Sequence, residues 1–229
     1  MTLPDADPAA AGRTYTVKEL FYTLQGEGLR AGRPAVFCRF TGCNLWTGRA
    51  EDRASADCTF CDTDFLGTDG PGGGRFVGPQ ALAEAIAACW PSMAGIPASE
   101  HGLPYVVFTG GEPTLQVDEA LCRAVHQKGF EIAIETNGTR PVSPGVDWIC
   151  VSPKAGTTLV QTTGDELKVV YPQSGQDLVA LAALPFSHHL LQPLDDPQRA
   201  DHTAAALQYC LSHPRWRLSL QTHKMLGIP

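Results

Sequence analysis

Short apolar runs alternate along the chain with longer segments in which apolar residues recur at helical spacing. The runs are predicted to be strands at residues 34–40, 105–109, 130–135, 147–151, 166–170, 189–192 and 217–220. The longer segments are predicted to be helices at residues 78–90, 115–128, 176–184 and 198–212. Alternation of this kind favours a parallel sheet with right-handed crossovers. We therefore expect an α/β fold, a partial (incomplete) TIM-like barrel of parallel strands.

Polar or glycine-rich segments follow four of these predicted strands, directly after Phe40, Phe108, Ile134 and Val151. In barrels built from parallel strands, the chemistry gathers at the carboxyl ends of the strands. The sequence thus predicts a functional site at this end of the sheet.

Length and composition fit one domain of ordinary size. The 229 residues, 43% of them hydrophobic, can bury a core. We expect a mobile tail at residues 1–13 and a single domain over 14–229. The glycine-rich segment 67–78 lacks the Lys-Ser/Thr of a phosphate loop and is predicted to be a flexible connector.

Charge and hydropathy exclude several classes of protein. A net charge of −7 argues against direct binding of nucleic acid. No apolar run approaches the ~18–20 residues of a membrane span, and the first residues do not form a secretory signal. We therefore expect a cytoplasmic protein whose cysteines are reduced or bind a metal.

Three of the eight cysteines, Cys43, Cys58 and Cys61, form a C-x14-C-x2-C pattern directly after a predicted strand. Three thiolates on a [4Fe–4S] cluster leave one iron open for a substrate, whereas four close the cluster. A zinc site completed by a fourth ligand explains the cysteines equally well. The others are expected to be small buried hydrophobic residues, and they are Cys38, Cys89, Cys122, Cys150 and Cys210.

The segment Thr109-Gly110-Gly111-Glu112-Pro113 ends the next strand, where paired glycines let the backbone approach a ligand closely. Together, this loop and the three cysteines resemble the radical S-adenosylmethionine superfamily. There the loop receives the methionyl amino group of the cofactor. Residues 135–138 (ETNG) and 152–154 (SPK) resemble later strand ends of that superfamily. The cysteine spacing departs from its usual C-x3-C-x2-C by an insertion of eleven residues.

Residues 19–28 (ELFYTLQGEG), 39–45 (RFTGCNL) and 60–63 (FCDT) narrow the resemblance to the 7-carboxy-7-deazaguanine synthase family. It covers nearly the whole chain and implies a radical lyase in 7-deazapurine (queuosine) biosynthesis. The implied reaction is contraction of 6-carboxy-5,6,7,8-tetrahydropterin to 7-carboxy-7-deazaguanine with release of ammonia. The implied cofactors are a [4Fe–4S] cluster, S-adenosylmethionine and Mg²⁺. A flavodoxin- or ferredoxin-type electron donor and a homodimer are also implied.

The resemblance also implies roles for individual residues. Substrate contacts are assigned to Leu24, Gln25, Gly26, Glu27, Arg39, Thr109 and the C-terminal Pro229. S-adenosylmethionine contacts are assigned to Phe60, Cys61, Asp62, Gly111, Ser152, Pro153 and Lys154. Arg39 offers a charged fork to a carboxylate, and the Thr63 hydroxyl suits Mg²⁺. His223 is a weak acid–base candidate, and Gln192 and Asp195 are candidates for support behind the site.

Two alternatives remain at this point. A radical activase that generates a glycyl radical on a partner protein would share the cysteine and Gly-Gly-Glu-Pro loops, but would lack the Leu-Gln-Gly-Glu-Gly segment. A zinc-stapled binding module would not be an enzyme.

Overall fold

The computed structural model describes residues 12–97 and 100–229. Its centre is a nine-stranded sheet in the order β3-β1-β2-β4-β5-β6-β7-β8-β9. The strands are β1 (Thr14–Leu24), β2 (Pro34–Phe40), β3 (Gly74–Val77), β4 (Tyr105–Gly110), β5 (Glu131–Thr136), β6 (Trp148–Val151), β7 (Gly164–Tyr171), β8 (Phe186–Pro193) and β9 (Trp216–Leu218). The α-helices are α1 (Pro79–Cys89), α2 (Glu119–Gln127), α3 (Leu178–Ala182), α4 (Arg199–Ser212) and α5 (Thr222–Leu226). Short 3₁₀ helices cover Ala50–Ser55 and Pro113–Leu115.

The seven strands predicted from the sequence are parallel neighbours in the sheet, from β2 through β4 to β9. β1 pairs antiparallel with both β2 and β3 and extends the sheet at one side. Within the described residues the edge strands β3 and β9 do not pair, so the sheet stays open. The predicted partial barrel is confirmed.

Alternation along the strands separates a packed face from a pocket face. On the packed face, Val36, Cys38 and Phe40 of β2 join a buried core under α1 and α2. A second core forms where β7, β8 and β9 meet α3 and α4. The opposite face of β2 carries Phe37 and Arg39. Because side chains alternate with a period of two, a slip of one residue would exchange the two faces.

The start of α2 shows how local chemistry fixes an element. Asp118 precedes the helix and accepts a hydrogen bond from the Leu121 N–H at 2.9 Å. The same carboxylate accepts from the Tyr15 hydroxyl at 2.9 Å and pairs with Arg13 at 2.9 Å. One N-cap thus joins the helix to the start of β1. Gly129 follows the helix at φ +81°, the left-handed conformation expected there.

Two predictions about the N-terminal third were wrong. Residues 14–24 form the long strand β1, although we expected the first strand at residue 34. The segment 67–78 is not a flexible connector, because its last residues form β3 on the edge of β1. The glycines that precede β3 pack against β1, since a Cβ on Gly73 would lie 2.1 Å from the Lys18 carbonyl oxygen.

Several element boundaries also shift. The helix predicted at 115–128 begins as the 3₁₀ turn and continues as α2 from Glu119. The last strand begins at Trp216 and ends at Leu218, slightly before the predicted range. The predicted tail, residues 1–13, lies outside the described residues except for Gly12 and Arg13, so its mobility stays a prediction.

Candidate active site

A cavity of about 410 Å³ opens at the carboxyl ends of the parallel strands. This volume lies within the roughly 300–1,000 Å³ range of small-molecule sites. Every predicted site residue except Pro153 lines it, namely Leu24, Gln25, Gly26, Glu27, Arg39, Cys43, Cys58, Phe60, Cys61, Asp62, Thr63, Thr109, Gly111, Ser152, Lys154 and Pro229. Pro153 is buried instead, and its carbonyl oxygen accepts a long hydrogen bond from Gln173 at 3.5 Å. The structure therefore gathers residues that are far apart in sequence, while their individual roles stay predictions.

Residues 44–57, which include the eleven-residue insertion, brace the loop that carries Cys58 and Cys61. Arg53 lies over the ring of Trp46, with its guanidinium carbon 4.0 Å from the ring centre. From there Arg53 donates hydrogen bonds to the carbonyl oxygens of Thr59 at 2.8 Å and Cys61 at 3.0 Å. The long cysteine spacing thus has a structural account, which the sequence did not supply.

The three thiols face the same cavity and are free of disulfides. Burial raises the pKa of Cys43 and Cys61, so these thiols need a metal or a cation before they ionise. Lys154 lines the same cavity and supplies such a cation. Its ammonium group donates to the Ser152 carbonyl and hydroxyl oxygens at 2.8 Å. Burial lowers the pKa of Lys154, while charge on Cys58 and Cys61 opposes that shift.

Among residues 12–97 and 100–229, no three His, Cys, Asp or Glu side chains lie close enough together to hold one metal ion. A four-iron cluster presents a separate iron to each of three thiolates, so its ligands surround a wider space than the ligands of a single ion. Three thiols spaced around a cavity fit such a cluster.

The glycine loop after β4 lies directly against the first cysteine. A Cβ on Gly111 would lie 2.0 Å from the Gly42 carbonyl oxygen and 3.0 Å from the Cys43 Cβ. Only glycine allows the two loops to pack this closely.

Glu112, which follows, is fully buried and ties neighbouring strand ends together. Its carboxylate accepts from the Thr136 hydroxyl at 2.7 Å and from the Asn137 N–H at 2.8 Å. Its own N–H donates to the Gly42 carbonyl at 2.8 Å. Glu112 therefore holds the cysteine loop, the glycine loop and the end of β5 in one rigid unit.

On the substrate side, strand register aligns Arg39 with Glu19 on β1 and with Thr109 on β4. Glu19 accepts from the Arg39 Nε at 2.7 Å. The two terminal guanidinium nitrogens have no hydrogen-bond partner in the described part of the chain, and Arg39 lines the cavity. Nearby, the rings of Phe21 and Phe37 stack at 5.6 Å and give the pocket an apolar wall.

A charge network centred on the buried Lys168 lies between the sheet and residues 25–27, which we call the substrate loop. Lys168 of β7 is 3% exposed and pairs with Glu27 and with Glu135, the latter at 3.3 Å. Gln25 donates to the other oxygen of Glu135 at 2.9 Å, and Gln221 donates to Glu27 at 2.9 Å.

The charges of this network stabilise one another. Burial alone would raise the pKa of Glu27, but the Lys168 ammonium outweighs it and lowers the pKa. Burial likewise works against the charge on Lys168, yet Glu135 and Glu27 raise the pKa of this lysine well above its ordinary value. Glu27 and Lys168 are therefore both ionised at neutral pH. Sequence reasoning missed Lys168, because a lone lysine in a strand carries no motif.

The C-terminal residues close one side of the cavity. Pro229, His223, Gln192 and Asp195 all line it, which places the weaker candidates at the site as well. The Thr23 hydroxyl donates to a Pro229 oxygen at 3.1 Å. Of the histidines in the described residues, His223 alone lines the cavity.

The comparisons with known proteins agree with one another. A 7-carboxy-7-deazaguanine synthase of Bordetella pertussis is 64% identical over 216 residues, covering 94% of this chain and 99% of that protein. One from Bacteroides thetaiotaomicron is 40% identical and covers 93% of this chain and 97% of the relative. The chain belongs to the 7-carboxy-7-deazaguanine synthase family. No protein-family model matches it.

A solved structure supports the fold. The crystal structure of QueE from Escherichia coli superposes with a TM-score of 0.65 at 26% identity, over 93% of this chain and 96% of that one. Family membership confirms the resemblance drawn from the sequence motifs, and with it a radical S-adenosylmethionine lyase that uses an iron–sulfur cluster. In the described residues, no helix has the length and apolar character needed to cross a membrane.

Proposed function

We propose that this cavity contracts the ring of 6-carboxy-5,6,7,8-tetrahydropterin to 7-carboxy-7-deazaguanine and releases ammonia. This is the family's ring contraction in queuosine and related 7-deazapurine biosynthesis. The observation that supports it best is that three thiols and the open guanidinium end of Arg39 face one cavity. A substrate carboxylate and a radical source can then be held side by side.

The cofactor half of the site is assigned to the three thiols and the loops around them. When bound to Cys43, Cys58 and Cys61, a [4Fe–4S] cluster with S-adenosylmethionine supplies a radical that removes a hydrogen atom from the substrate. Gly111 offers its backbone to the methionyl end. Ser152 and Lys154 offer hydroxyl, carbonyl and ammonium groups, and Phe60 and Asp62 lie along the same wall. These residues bind and orient the cofactor.

The substrate half orients the pterin. Arg39 presents two parallel N–H donors to the carboxylate, while Glu19 fixes the plane of the guanidinium group. Glu27 is an ionised acceptor for ring N–H groups. Glu27 and Glu135 both pair with Lys168, and their remaining carboxylate oxygens are acceptors that suit a ring edge rich in N–H donors. Leu24, Gln25, Gly26, Thr109 and Pro229 complete the wall.

Mg²⁺ is proposed to bind near Thr63, whose hydroxyl oxygen suits a hard cation that keeps several waters. Thr63 lines the same cavity as Arg39 and Asp64. A substrate carboxylate held by Arg39 would supply a second oxygen ligand. An electron donor of the flavodoxin or ferredoxin type, a homodimer and a cytoplasmic location are proposed on family likeness alone.

The function is tested by turnover. Reduced, reconstituted protein is incubated without oxygen with the carboxy-tetrahydropterin, S-adenosylmethionine and Mg²⁺, and the products are separated by mass spectrometry. We expect carboxy-deazaguanine and ammonia in equal amounts. No product, while a glycyl radical forms on an added partner protein, would favour the activase alternative and overturn the proposal.

A further inference from the structure

The C-terminal segment (residues 221–229) forms one side of the cavity but has almost no apolar anchor. Its helix α5 contains no buried residue, and the side chains of Met225 and Leu226 are 73% and 64% exposed. Hydrophobic burial, the usual means of holding an element in place, is therefore nearly absent here. Polar contacts must hold this segment over the site.

Two kinds of polar contact do so. The first kind joins the segment to the substrate loop, since the Thr222 N–H and hydroxyl both donate to the Gly26 carbonyl at 2.9 Å. Glycine at position 26 is required for that approach, because a Cβ there would lie 2.1 Å from the His223 Nδ1.

The second kind centres on Lys224. Its ammonium group lies 2.6 Å from an Asp62 oxygen and 2.6 Å from an Asp195 oxygen. Asp62 directly follows Cys61 in the loop assigned to the iron–sulfur cluster (residues 58–62, the cluster loop). Asp195 lies just beyond the end of β8. Lys224 therefore joins three separate parts of the cavity wall through one charged group.

The charges explain why the lysine is needed. Both carboxylate oxygens lie 2.6 Å from the same nitrogen, so they are no further apart than twice that distance. Without the cation, the carboxylates of Asp62 and Asp195 would repel each other where the cluster loop meets the end of β8. Among the described residues, the one other cation paired with either carboxylate is Arg199, which lies 3.4 Å from Asp195 and does not pair with Asp62. Loss of Lys224 would thus remove an attraction and expose a repulsion at the same place.

We propose that Lys224 is a positioning residue that fastens the C-terminal segment to the cluster loop, so that the substrate half of the site is assembled only against a correctly placed cofactor half. The inference rests on the proposed function, and it adds a residue that none of the sequence motifs includes. Gln221, which donates to Glu27, is carried on the same segment and is placed by the same contact.

Substrate binding is where the effect should be measured. When the binding-competent arrangement is only partly populated, the apparent affinity falls by the populated fraction. Lys224→Met keeps the aliphatic stem and removes the charge. We expect the KM for the pterin to rise roughly tenfold with little change in kcat, in line with the loss of two half-exposed ion pairs. Amide hydrogen exchange in residues 221–229 of the holoenzyme should become faster, while iron content stays unchanged.

Two further variants separate positioning from general stability. Lys224→Arg keeps the charge and should restore most of the KM and of the exchange protection. Lys128→Met removes a lysine from an exposed ion pair with Glu84 at 3.8 Å, far from the cavity, and should leave both unchanged. An unchanged KM and unchanged exchange in Lys224→Met would overturn the inference. A lowered melting temperature without either change would also overturn it.

The exchange measurement does not depend on catalysis. A wild-type protein that fails to make carboxy-deazaguanine would overturn the proposed function, even if residues 221–229 lose protection in Lys224→Met. A fully active wild type with an unaltered Lys224→Met variant would overturn this inference alone.

Discussion

Only one of the three guanidinium nitrogens of Arg39 has a hydrogen-bond partner within the described residues. The Arg39 Nε donates to the Glu19 carboxylate at 2.7 Å, and the two terminal nitrogens face the cavity. A substrate carboxylate can then bind these nitrogens without first breaking an internal ion pair. Breaking such a pair would reduce the net free energy of binding.

Replacing Arg39 with Gln should therefore weaken substrate binding specifically. A charge-assisted pair of hydrogen bonds contributes about 1.5–3 kcal/mol, so we expect KM for the pterin to rise roughly 10- to 100-fold. Arg39→Lys, which keeps the charge but loses the fork, should recover only part of this. Arg123→Gln, in an exposed pair with Glu119 at 3.8 Å, is the control and should behave as wild type. Equal KM values for all of these proteins would rule out the assigned role.

Thr63 is tested by its metal dependence. Thr63→Ala removes the only side-chain oxygen assigned to Mg²⁺, so the Mg²⁺ concentration needed for half-maximal turnover should rise roughly tenfold or more. Thr63→Ser, which keeps the hydroxyl, should stay close to wild type. Iron content should be equal in all three proteins. An unchanged Mg²⁺ response in the alanine variant would remove Thr63 from the metal site.

Lys168 matters for stability as well as for the site. Lys168→Met leaves the partly buried Glu27 and Glu135 side by side without the buried ammonium group, and breaking a buried pair costs about 3–5 kcal/mol. For a chain of this size we expect a melting temperature lower by roughly 10 °C. The double variant Lys168→Met/Glu27→Gln removes one of the two charges and should recover part of the loss. A single variant that melts within a degree or two of wild type would show that the network is not a stabilising unit.

Sequence and structure agree on the residues that belong to compact motifs. Cys58, Cys61 and Thr63 sit within a few residues of one another, so their shared environment could be inferred from spacing. Lys168 and Lys224 act through partners that lie 29 or more residues away in the chain. Only the folded sheet brings such partners together, so no local pattern could identify them.

At the scale of elements, the ends of β2 and β4 meet through glycines. Gly111→Ala would place a methyl group against the Gly42 carbonyl, and overpacking of this kind costs about 1–3 kcal/mol. The backbone of the cysteine loop must move, so we expect S-adenosylmethionine binding to weaken roughly tenfold, measured by equilibrium dialysis of the reconstituted protein. Gly102→Ala, with open space around its Cβ, should bind as wild type. Equal affinities in the two variants would contradict this packing role.

The elements that were missed have a physical explanation. β1 changes register between Val17 and Glu19, which interrupts the strict alternation that marks a strand. β3 is only four residues long and follows a run of glycines, so its pairing with β1 leaves little trace in the sequence. The parallel strands were predictable because each is a continuous buried run between turn signals.

At the scale of the whole molecule, the open sheet places two different sites in one cavity. The strand ends from β2 to β6 carry the thiols and glycine loops, whereas β1, β7, β8 and the C-terminal segment carry the substrate groups together with Arg39 of β2 and Thr109 of β4. Family membership fixed the overall reaction, but only the three-dimensional arrangement shows how the two halves meet. The central claim is that Cys43, Cys58 and Cys61 hold a cluster with one open iron inside that cavity.

Electron paramagnetic resonance of the anaerobically reconstituted, reduced protein tests this claim most directly. We predict the signal of one reduced [4Fe–4S] cluster per chain, which changes shape when S-adenosylmethionine is added because the cofactor binds the open iron. Cys58→Ala should lack both the signal and the change. A colourless protein that contains a single zinc, or a cluster signal that S-adenosylmethionine leaves unaltered, would contradict the account.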